Sequence, residues 1–409
     1  MKLQPFGKKA LRFILTPVGQ DSRITILEGS VRSGKTVAMI PKLIAMCNEP
    51  PRGLGVITGV SKDTIYDNIL RDLFDVVGTR NYHYNRQSGE LDLFGDEWKV
   101  IGAKDEGSEK YIRGKTIARA YCDELSLMPE RFFKQLLNRM SVPGARLYAT
   151  TNPDTPMHYL YREYITDKDK IDSGMVKVIH FELDDNPALD EEYKSFIRNA
   201  YCGVFYERFI LGKWVVAEGA IYKDCWSNDL LYDEETIPIG LRNGYIDRTI
   251  SIDYGTSNAT IFGEYLDDGE TSWKDREYYW DSRKEGRQKT DSEYANDLIE
   301  FIGPKDDATI ILDPSAASFA AELRSRGLVV NDADNEVLDG IRVVSTVLKR
   351  KMLRIHRRCV NTCEEMSAYR WDEKAALRGV EQPIKEKDHA PDELRYYCKT
   401  KFPQWRLVL

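Results

Sequence analysis

Residues 29–36 read Gly-Ser-Val-Arg-Ser-Gly-Lys-Thr and match the phosphate-binding loop pattern G-x-x-x-x-G-K-[ST] at every fixed position. Residues 23–28 predict a short buried strand before the loop, and residues 37–44 predict a helix after it. Backbone N–H groups and a helix N-terminus together attract phosphate oxygens. The loop therefore predicts a nucleoside triphosphate site, in which Lys35 reaches the β- and γ-phosphates and Thr36 holds Mg²⁺. The predicted nucleotide-binding residues of the loop are Gly29, Ser30, Arg32, Ser33, Gly34, Lys35 and Thr36.

A second segment supplies the acids that such a site needs. Residues 117–122 predict an apolar strand that runs directly into Asp123 and Glu124. We expect Asp123 to bind the Mg²⁺ shell and Glu124 to act as general base on the attacking water. A strand that ends in Asp-Glu is common by chance, but its location downstream of a complete phosphate loop favours the functional interpretation. The Glu that follows the Asp favours a hydrolysing ATPase over a GTP-type switch.

Further residues could take part in hydrolysis. Thr151 and Asn152 follow a predicted strand over residues 147–150 and could sense the γ-phosphate, or they could simply cap the strand with an Asn-Pro turn. Arg32 could stabilise transition-state charge within its own subunit, and Arg139 could do so in a neighbouring subunit. The alternative for both arginines is a solvated side chain.

The composition limits what else the chain can be. Its 409 residues predict two or three domains, and a hydrophobic fraction of 42% is enough to build their cores. The net charge of −7 argues against a uniformly basic surface but leaves room for local basic grooves. The polar N-terminus predicts no secretory signal, and no apolar run approaches the roughly 18 residues that a membrane-spanning helix needs. Seven scattered cysteines fit free thiols in a reducing, intracellular setting.

Acids also end two predicted elements in the C-terminal half. Alternating strands and helices in the N-terminal half predict a largely parallel α/β sheet, followed by a linker over residues 227–246. A new strand then carries Asp253, strands over 259–266 and 276–280 predict a meander, and Asp313 follows a further strand. His389 and Asp392 are spaced to share one helical face.

Three separated acids suit a site for two divalent ions, because such a site needs bridging carboxylates. Mg²⁺ and Mn²⁺ both prefer oxygen ligands. Each acid alone is also explained by a turn or by a solvated helix face. His356, Cys359 and Cys363 could likewise share a helical face and bind zinc. Structural zinc usually needs four ligands, so a half-buried helix face is the favoured interpretation.

In chain order, residues 29–36, 110–116, 123–124 and 150–153 resemble the ATPase half of a large terminase subunit from a tailed bacteriophage. Residues 181–187, 203–205 and 211–214 are similar to the lid subdomain of that family. The resemblance implies an α/β protein with a P-loop (RecA/ASCE-like) ATPase domain over residues 1–226, including a lid from about residue 165. An RNase H-like nuclease domain over residues 247–409 would follow. Gln4 stands where such proteins contact adenine, and Arg119 departs from the small residue that the family often has there.

The same resemblance implies roles for the later residues. Asp253, Asp313 and Asp392 would be metal ligands, with Asp388 as an additional candidate ligand and His389 as a neighbour of the metals or the phosphate. Lys289, a candidate catalytic residue, lies in a basic stretch that begins at Arg283. This stretch and residues 349–351 are expected to contact the DNA backbone, or else to form solvated faces.

The implied function is that of a viral motor subunit. ATP hydrolysis, with Mg²⁺, would drive double-stranded DNA into the procapsid, and a nuclease with two Mg²⁺ or Mn²⁺ ions would cut concatemers. The implied partners are double-stranded DNA, a small terminase subunit and a portal protein that carries a homo-oligomeric ring, in the host cytoplasm and without a membrane. The alternative is a non-catalytic assembly scaffold that binds ATP and DNA and has a degenerate nuclease fold. A helicase-nuclease is disfavoured, because about 225 residues before the nuclease leave no room for a second RecA-like domain.

Overall fold

A computed structural model describes residues 5–236, 241–256, 258–304 and 308–402 of the chain. The chain divides into two compact units, of which the first comprises Met1–Arg198 and Tyr206–Val216. The second comprises Asn199–Phe205 and Ala217–Leu409. Gln4, expected to contact adenine, lies outside the described residues. The domain boundaries expected at residues 226 and 246 stay a prediction.

The first unit contains an eight-stranded sheet in the order β3-β4-β5-β2-β6-β7-β1-β8, as far as the described ranges extend. In this spatial order, β5, β2, β6, β7, β1 and β8 each run parallel to the next, whereas β3, β4 and β5 form the antiparallel edge. The strands are β1 Ile24–Gly29, β2 Gly55–Gly59, β3 Tyr82–Asn85, β4 Glu90–Leu93, β5 Asp96–Gly102, β6 Arg119–Cys122, β7 Arg146–Thr150 and β8 Val176–Phe181.

Strands β1, β2 and β6 are buried along their whole length. Parallel strands are buried along their whole length when both faces of their sheet are covered. The helices of this part of the chain are α1 Lys8–Leu15, α2 Lys35–Asn48, α3 Lys62–Ile65, α4 Arg71–Val77, α5 Glu130–Arg139, α6 Lys168–Asp172, α7 Glu191–Ala200 and α8 Gly203–Phe209. A π-helical turn, Tyr66–Leu70, joins α3 to α4, so this helical stretch is not a regular α-helix.

Arg119, the residue that departs from the family pattern, has a structural role. Its side chain is fully buried at the start of β6 and forms an ion pair with Asp96 at 2.7 Å. The guanidinium also donates to the carbonyl oxygens of Met46 and Gly53, and it lies over the ring of Trp98. The arginine therefore ties together the amino ends of β5 and β6, while Asp123 and Glu124 follow the other end of β6.

The second unit contains a seven-stranded sheet in the order β14-β13-β10-β11-β12-β15-β9, within the same described residues. Strands β10, β11 and β12 form the expected antiparallel meander, and β13 lies parallel to β10. Strand β9 lies inside the stretch expected to be a linker and pairs with β15. The strands are β9 Leu231–Tyr232, β10 Asp247–Asp253, β11 Ala259–Asp267, β12 Ser272–Asp281, β13 Thr309–Leu312, β14 Val330–Asp332 and β15 Leu353–His356. The helices are α9 Leu241–Gly244, α10 Asp291–Ile302, α11 Ala317–Ser325, α12 Val337–Lys349, α13 Val360–Ala368, α14 Glu373–Ala376 and α15 His389–Lys401.

Buried contacts with the meander fix the orientation of helix α15 about its own axis. Glu393 is fully buried and pairs with Lys274 at 2.5 Å, and its carbonyl oxygen accepts a hydrogen bond from Ser251. A Cβ at Gly263 would lie 2.3 Å from a carboxylate oxygen of Glu393, so only glycine permits this approach. The ring of Tyr397 stacks on Tyr265 with centroids 3.6 Å apart. These contacts fix which face of α15 carries His389 and Asp392.

Candidate functional site

Most of the residues predicted for nucleotide binding and hydrolysis line one cavity of about 490 Å³ in the first unit. The cavity lies at the carboxyl ends of β1, β6 and β7, where ligands bind in open α/β sheets. Gly29, Ser30 and Arg139 do not line it, and Gln4 lies outside the described residues. The predicted residues that line it are Arg32, Ser33, Gly34, Lys35, Thr36, Asp123, Glu124, Thr151 and Asn152.

The backbone of the phosphate loop requires glycine at two positions, and a side chain from elsewhere in the chain supports the loop. Gly29 has φ of +124°, and a Cβ there would lie 2.0 Å from the carbonyl oxygen of Phe181. Gly34, with φ of +92°, is the N-cap of α2. Arg32 also has positive φ, at +56°, and its carbonyl oxygen accepts a 2.7 Å hydrogen bond from the side-chain amide of Asn186. Asn186 therefore supports the loop.

Lys35 is folded back into the loop. Its ammonium donates to the carbonyl oxygen of Ser30 at 2.5 Å, to that of Gly29 at 3.0 Å and to Oδ1 of Asn152 at 3.1 Å. Burial lowers the pKa of Lys35 to about 7, although Glu28 and Asp123 oppose the shift. A nearby anion favours the charged form of a lysine. A phosphate group in the cavity would therefore restore the charge of Lys35.

Asp123 is held by three donors. Its Oδ1 accepts from the hydroxyl of Tyr121 at 2.8 Å and from that of Thr150 at 2.9 Å. Its Oδ2 accepts a 2.9 Å hydrogen bond from the amide of Asn68. Sequence reasoning missed Asn68, because nothing in the pattern of residues 62–77 indicated the π turn that carries it.

Glu124 adopts a left-handed backbone conformation with φ of +51° at the turn after β6. Such a conformation costs a non-glycine residue about 1–3 kcal/mol and often marks a functional site. Burial, and then the charge of Asp123, raise the pKa of Glu124, whereas Lys35 opposes the shift. A carboxylate whose pKa is raised towards neutrality is better suited to accept a proton from water.

The segment over residues 206–216 packs on the start of the phosphate loop. The hydroxyl of Ser30 donates to the carbonyl oxygen of Ile210 at 2.7 Å, and the backbone N–H of Val31 donates to that of Phe209 at 2.8 Å. The indole N–H of Trp214 donates to Glu28, which also bonds His180 at 2.6 Å. Sequence reasoning identified this segment only through its similarity to a lid.

A second cavity, also of about 490 Å³, lies within the second unit. Asp253 at the end of β10 and Asp313 just after β13 reach it from neighbouring parallel strands. The other predicted residues of this cavity come from the start of α15 and the residue before it. The predicted residues that line this cavity are Asp253, Asp313, Asp388, His389 and Asp392.

Asp253 and His389 interact directly, with Oδ2 and Nδ1 2.9 Å apart. Burial raises the pKa of Asp253 to about 6, although the hydrogen bond from His389 opposes the shift. Burial alone would lower the pKa of His389, but the hydrogen bond and charge of Asp253 outweigh it, so the net shift is upward. Asp253 therefore lies in an environment in which a nearby cation stabilises its charge.

The other acids also have partners. Lys385 lies 3.1 Å from both Asp388 and Asp392, Arg395 lies 3.0 Å from Asp392, and the hydroxyl of Tyr396 donates to Asp313 at 2.7 Å. Among the described residues, no group of three His, Cys, Asp or Glu side chains is placed to hold a metal ion. Carboxylate oxygens are nevertheless the donors that Mg²⁺ and Mn²⁺ prefer.

Lys289 does not line this cavity. Its ammonium pairs with Asp297 at 2.6 Å and lies 3.8 Å from the ring centre of Trp280. The cations that line the cavity are Arg283, which begins the basic stretch that contains Lys289, and Lys385 and Lys387, which sequence reasoning did not single out. In the basic stretch 349–351, Lys351 lies 3.3 Å from Asp229.

The three residues considered for zinc do not share a helical face. His356 ends β15 and packs edge-on against Tyr232, whereas Cys359 precedes α13 and Cys363 lies within it. His356 and Cys359 are buried, with exposed fractions of 5% and 0%. The expected helix face is therefore wrong for His356, because a strand ends at that residue.

Comparisons with known proteins identify the family. A family model described as phage terminase large subunit matches residues 21–203. A solved structure of the large terminase from a thermophilic bacteriophage is similar to the chain, with 38% identity and a TM-score of 0.86 over 98% of this chain and 100% of that one. Its complex with ADP matches with 37% identity and a TM-score of 0.84 over 97% of this chain and 100% of that one. Its complex with ATP-γ-S matches with 36% identity and a TM-score of 0.83 over 96% of this chain and 98% of that one.

The chain therefore belongs to the phage terminase large subunits. No curated protein sequence matches it significantly. No helix among the described residues is both long enough and apolar enough to span a membrane.

Proposed function

We propose that the first unit binds Mg²⁺·ATP and hydrolyses it. The observation that carries this proposal is that a phosphate loop, Asp123, Glu124 and Asn152 line the same cavity. Lys35 would bind the β- and γ-phosphates, Thr36 and Asp123 would hold the ion, and Glu124 would accept a proton from the attacking water. The similar bacteriophage enzyme has been solved with ADP and with ATP-γ-S, which supports nucleotide binding by this chain.

The roles proposed for the neighbouring residues follow from their positions. Asn152 bonds Lys35, so the end of β7 is connected to the residue that would touch the γ-phosphate. Thr151 accepts a hydrogen bond from the backbone N–H of Ser126, just beyond Glu124. Arg32 lines the cavity and would act in its own subunit, whereas Arg139 does not line it and would act on the site of a neighbour.

The test of hydrolysis is Glu124→Gln, which keeps the shape of the side chain and removes the base. We expect phosphate release to be lost while binding of an ATP analogue persists. Continued turnover by Glu124→Gln would remove this residue as the base.

We propose that the second unit is an RNase H-like nuclease that uses two divalent ions. The observation that carries this proposal is that Asp253, Asp313, Asp388 and Asp392 line one cavity together with His389. These carboxylates would hold Mg²⁺ or Mn²⁺, which would activate water and stabilise the leaving oxygen. Before an ion could bind, Lys385 would have to leave the position it holds between two of them. The meander with β13 parallel to β10 supports the fold assignment.

Plasmid cleavage tests the nuclease. The full chain should cut with Mn²⁺ or Mg²⁺ and not with EDTA, and Asp313→Asn or Asp253→Ala should abolish cutting while ATPase activity remains. Cleavage that is unchanged in Asp313→Asn would contradict the proposed ligand set. The absence of cutting by the wild-type chain with either metal would favour the scaffold alternative.

We further propose that hydrolysis drives double-stranded DNA into a procapsid in the host cytoplasm, with a small terminase subunit and a portal protein as partners. Membership of the terminase family supports this role. The alternative is a non-catalytic scaffold that binds ATP and DNA. Retention of Glu124 and of the acids in the second cavity argues against the alternative.

A further inference from the structure

Asn68 lies in the wall of the nucleotide cavity, although no motif marks it. The helical stretch formed by α3, the π turn Tyr66–Leu70 and α4 supplies this wall, through Asp67, Asn68 and Asp72. π turns are rare and often occur at functional sites, because they re-aim side chains relative to a regular α-helix. Of the three side chains, Asn68 is the one hydrogen-bonded to a residue of the proposed ATP site.

The contact is specific in chemistry and direction. Nδ2 of Asn68 lies 2.9 Å from Oδ2 of Asp123. An ionised carboxylate can only accept hydrogen bonds, so the amide must present its N–H₂ group to Asp123. The hydroxyls of Tyr121 and Thr150 both bond the other oxygen, Oδ1. Asn68 is therefore the donor that orients the second oxygen of the carboxylate.

The local packing brings the two residues together. The backbone N–H of Asp123 donates to the carbonyl oxygen of Thr58, near the end of β2. At the next residue, Gly59, a Cβ would lie 2.7 Å from Ile65 of α3 and 3.6 Å from the Cβ of Asp123. Glycine at this position thus lets the start of the helical stretch approach the end of β6. The π turn begins at Tyr66, directly after Ile65, and points Asn68 at Asp123.

We propose that Asn68 is a positioning residue for the Mg²⁺ that accompanies ATP. By holding Oδ2, it keeps the carboxylate of Asp123 in the orientation that the ion and its water shell require. Partners of this kind orient the groups that contact a metal, and their loss typically costs about 10–100-fold in metal affinity. The inference rests on the proposed ATPase function and adds to it a residue that acts through Asp123.

The experiment is a Mg²⁺ titration of the binding of a fluorescent, non-hydrolysable ATP analogue to the full chain. Asn68→Leu keeps similar volume and removes the donor, and Asn68→Ala provides a second variant if the first packs poorly. Asn48→Leu is a matched control, because Asn48 is also an exposed helical asparagine, and its amide bonds the carbonyl oxygen of Ile44 in its own helix. Asp123→Asn is the positive control.

We expect both Asn68 variants to need about 10–100-fold more Mg²⁺ for half-maximal binding. In EDTA, the Asn68 variants should bind the analogue as the wild type does, which a general loss of folding would not permit. Asn48→Leu should behave as the wild type does. Wild-type Mg²⁺ dependence in the Asn68 variants, with a shift in Asp123→Asn, would overturn the inference and leave the proposed function standing. If Asp123→Asn also leaves the Mg²⁺ dependence unchanged, both the inference and the proposed Mg²⁺·ATP site are wrong.

Discussion

Gly212 lies against the phosphate loop and offers a direct test of how the segment 206–216 supports that loop. Its φ is +65°, and a Cβ there would lie 2.8 Å from Cε1 of His180, 3.1 Å from Cα of Gly29 and 3.1 Å from the backbone nitrogen of Ser30. Two of these neighbours are backbone atoms of the loop, which cannot swing aside as the tip of a side chain can. Gly212→Ala should therefore carry both a conformational and a steric cost.

The two costs can be separated with a matched glycine. An L residue at positive φ costs about 1–2 kcal/mol, and overpacking typically adds about 1–3 kcal/mol. Gly174, also in the first unit, has φ of +72°, and nothing lies within 4 Å of a Cβ built there. We expect Gly174→Ala to lose about 1–2 kcal/mol of unfolding free energy and Gly212→Ala about 2–5 kcal/mol.

The assay compares thermal unfolding and affinity for an ATP analogue in the two variants. Because the chain has two compact units, the transition to compare is the one that the nucleotide shifts upward. We expect Gly212→Ala to weaken nucleotide binding, since the backbone of Gly29 and Ser30 must move, and Gly174→Ala to leave it unchanged. Equal destabilisation of both variants with equal nucleotide affinity would refute the reasoning.

Two further predictions concern the first unit. Arg119→Met should lower its stability by about 3 kcal/mol, measured by urea unfolding, because it breaks a buried ion pair with Asp96 and leaves two carbonyl oxygens unpaired. The value is at the lower end of the usual range because Asp96 keeps its pairing with Arg52, and a loss below about 1 kcal/mol would contradict it. The hydrogen bond to Glu28 raises the pKa of His180, so its stabilising effect should be complete below a pH of about 6.5 and lost as the pH rises through the folded-state pKa. Melting temperatures measured from pH 6 to pH 8.5 should therefore fall less steeply in His180→Gln than in the wild type, and parallel curves would exclude this linkage.

Much of the local structure could be predicted because its causes are local. The strand before the phosphate loop, helix α2, strands β6 and β7 and the meander of the second unit lie where the apolar runs and turn residues indicated. Periodicity could not predict the π turn at Tyr66–Leu70, since the apolar spacing of residues 62–77 also fits an ordinary helix. The placement of His356 on a helical face failed for a related reason, because pairing of β15 with β12 overrides the local spacing.

The contacts around the predicted residues could not be predicted, because they join residues far apart in the chain. Lys289 stands in a basic stretch, yet it pairs with Asp297 and Trp280, whereas Arg283 from the same stretch reaches the second cavity. A run of cations does not reveal which of its members has a buried or aromatic partner. Which cation has such a partner depends on how α10 packs against β12.

The sequence alone determined which residue types could perform the chemistry. The loop pattern named Lys35 and Thr36, and the strand ends named Asp123, Asp253 and Asp313, because these functions depend on the residue and its immediate neighbours. Only the tertiary structure decided which other residues hold these groups in place: Asn68 on Asp123, the segment 206–216 on the loop, and Lys385 between Asp388 and Asp392. The physical reason is that hydrogen bonds and ion pairs act over about 3 Å, and only folding brings such distant residues within that distance.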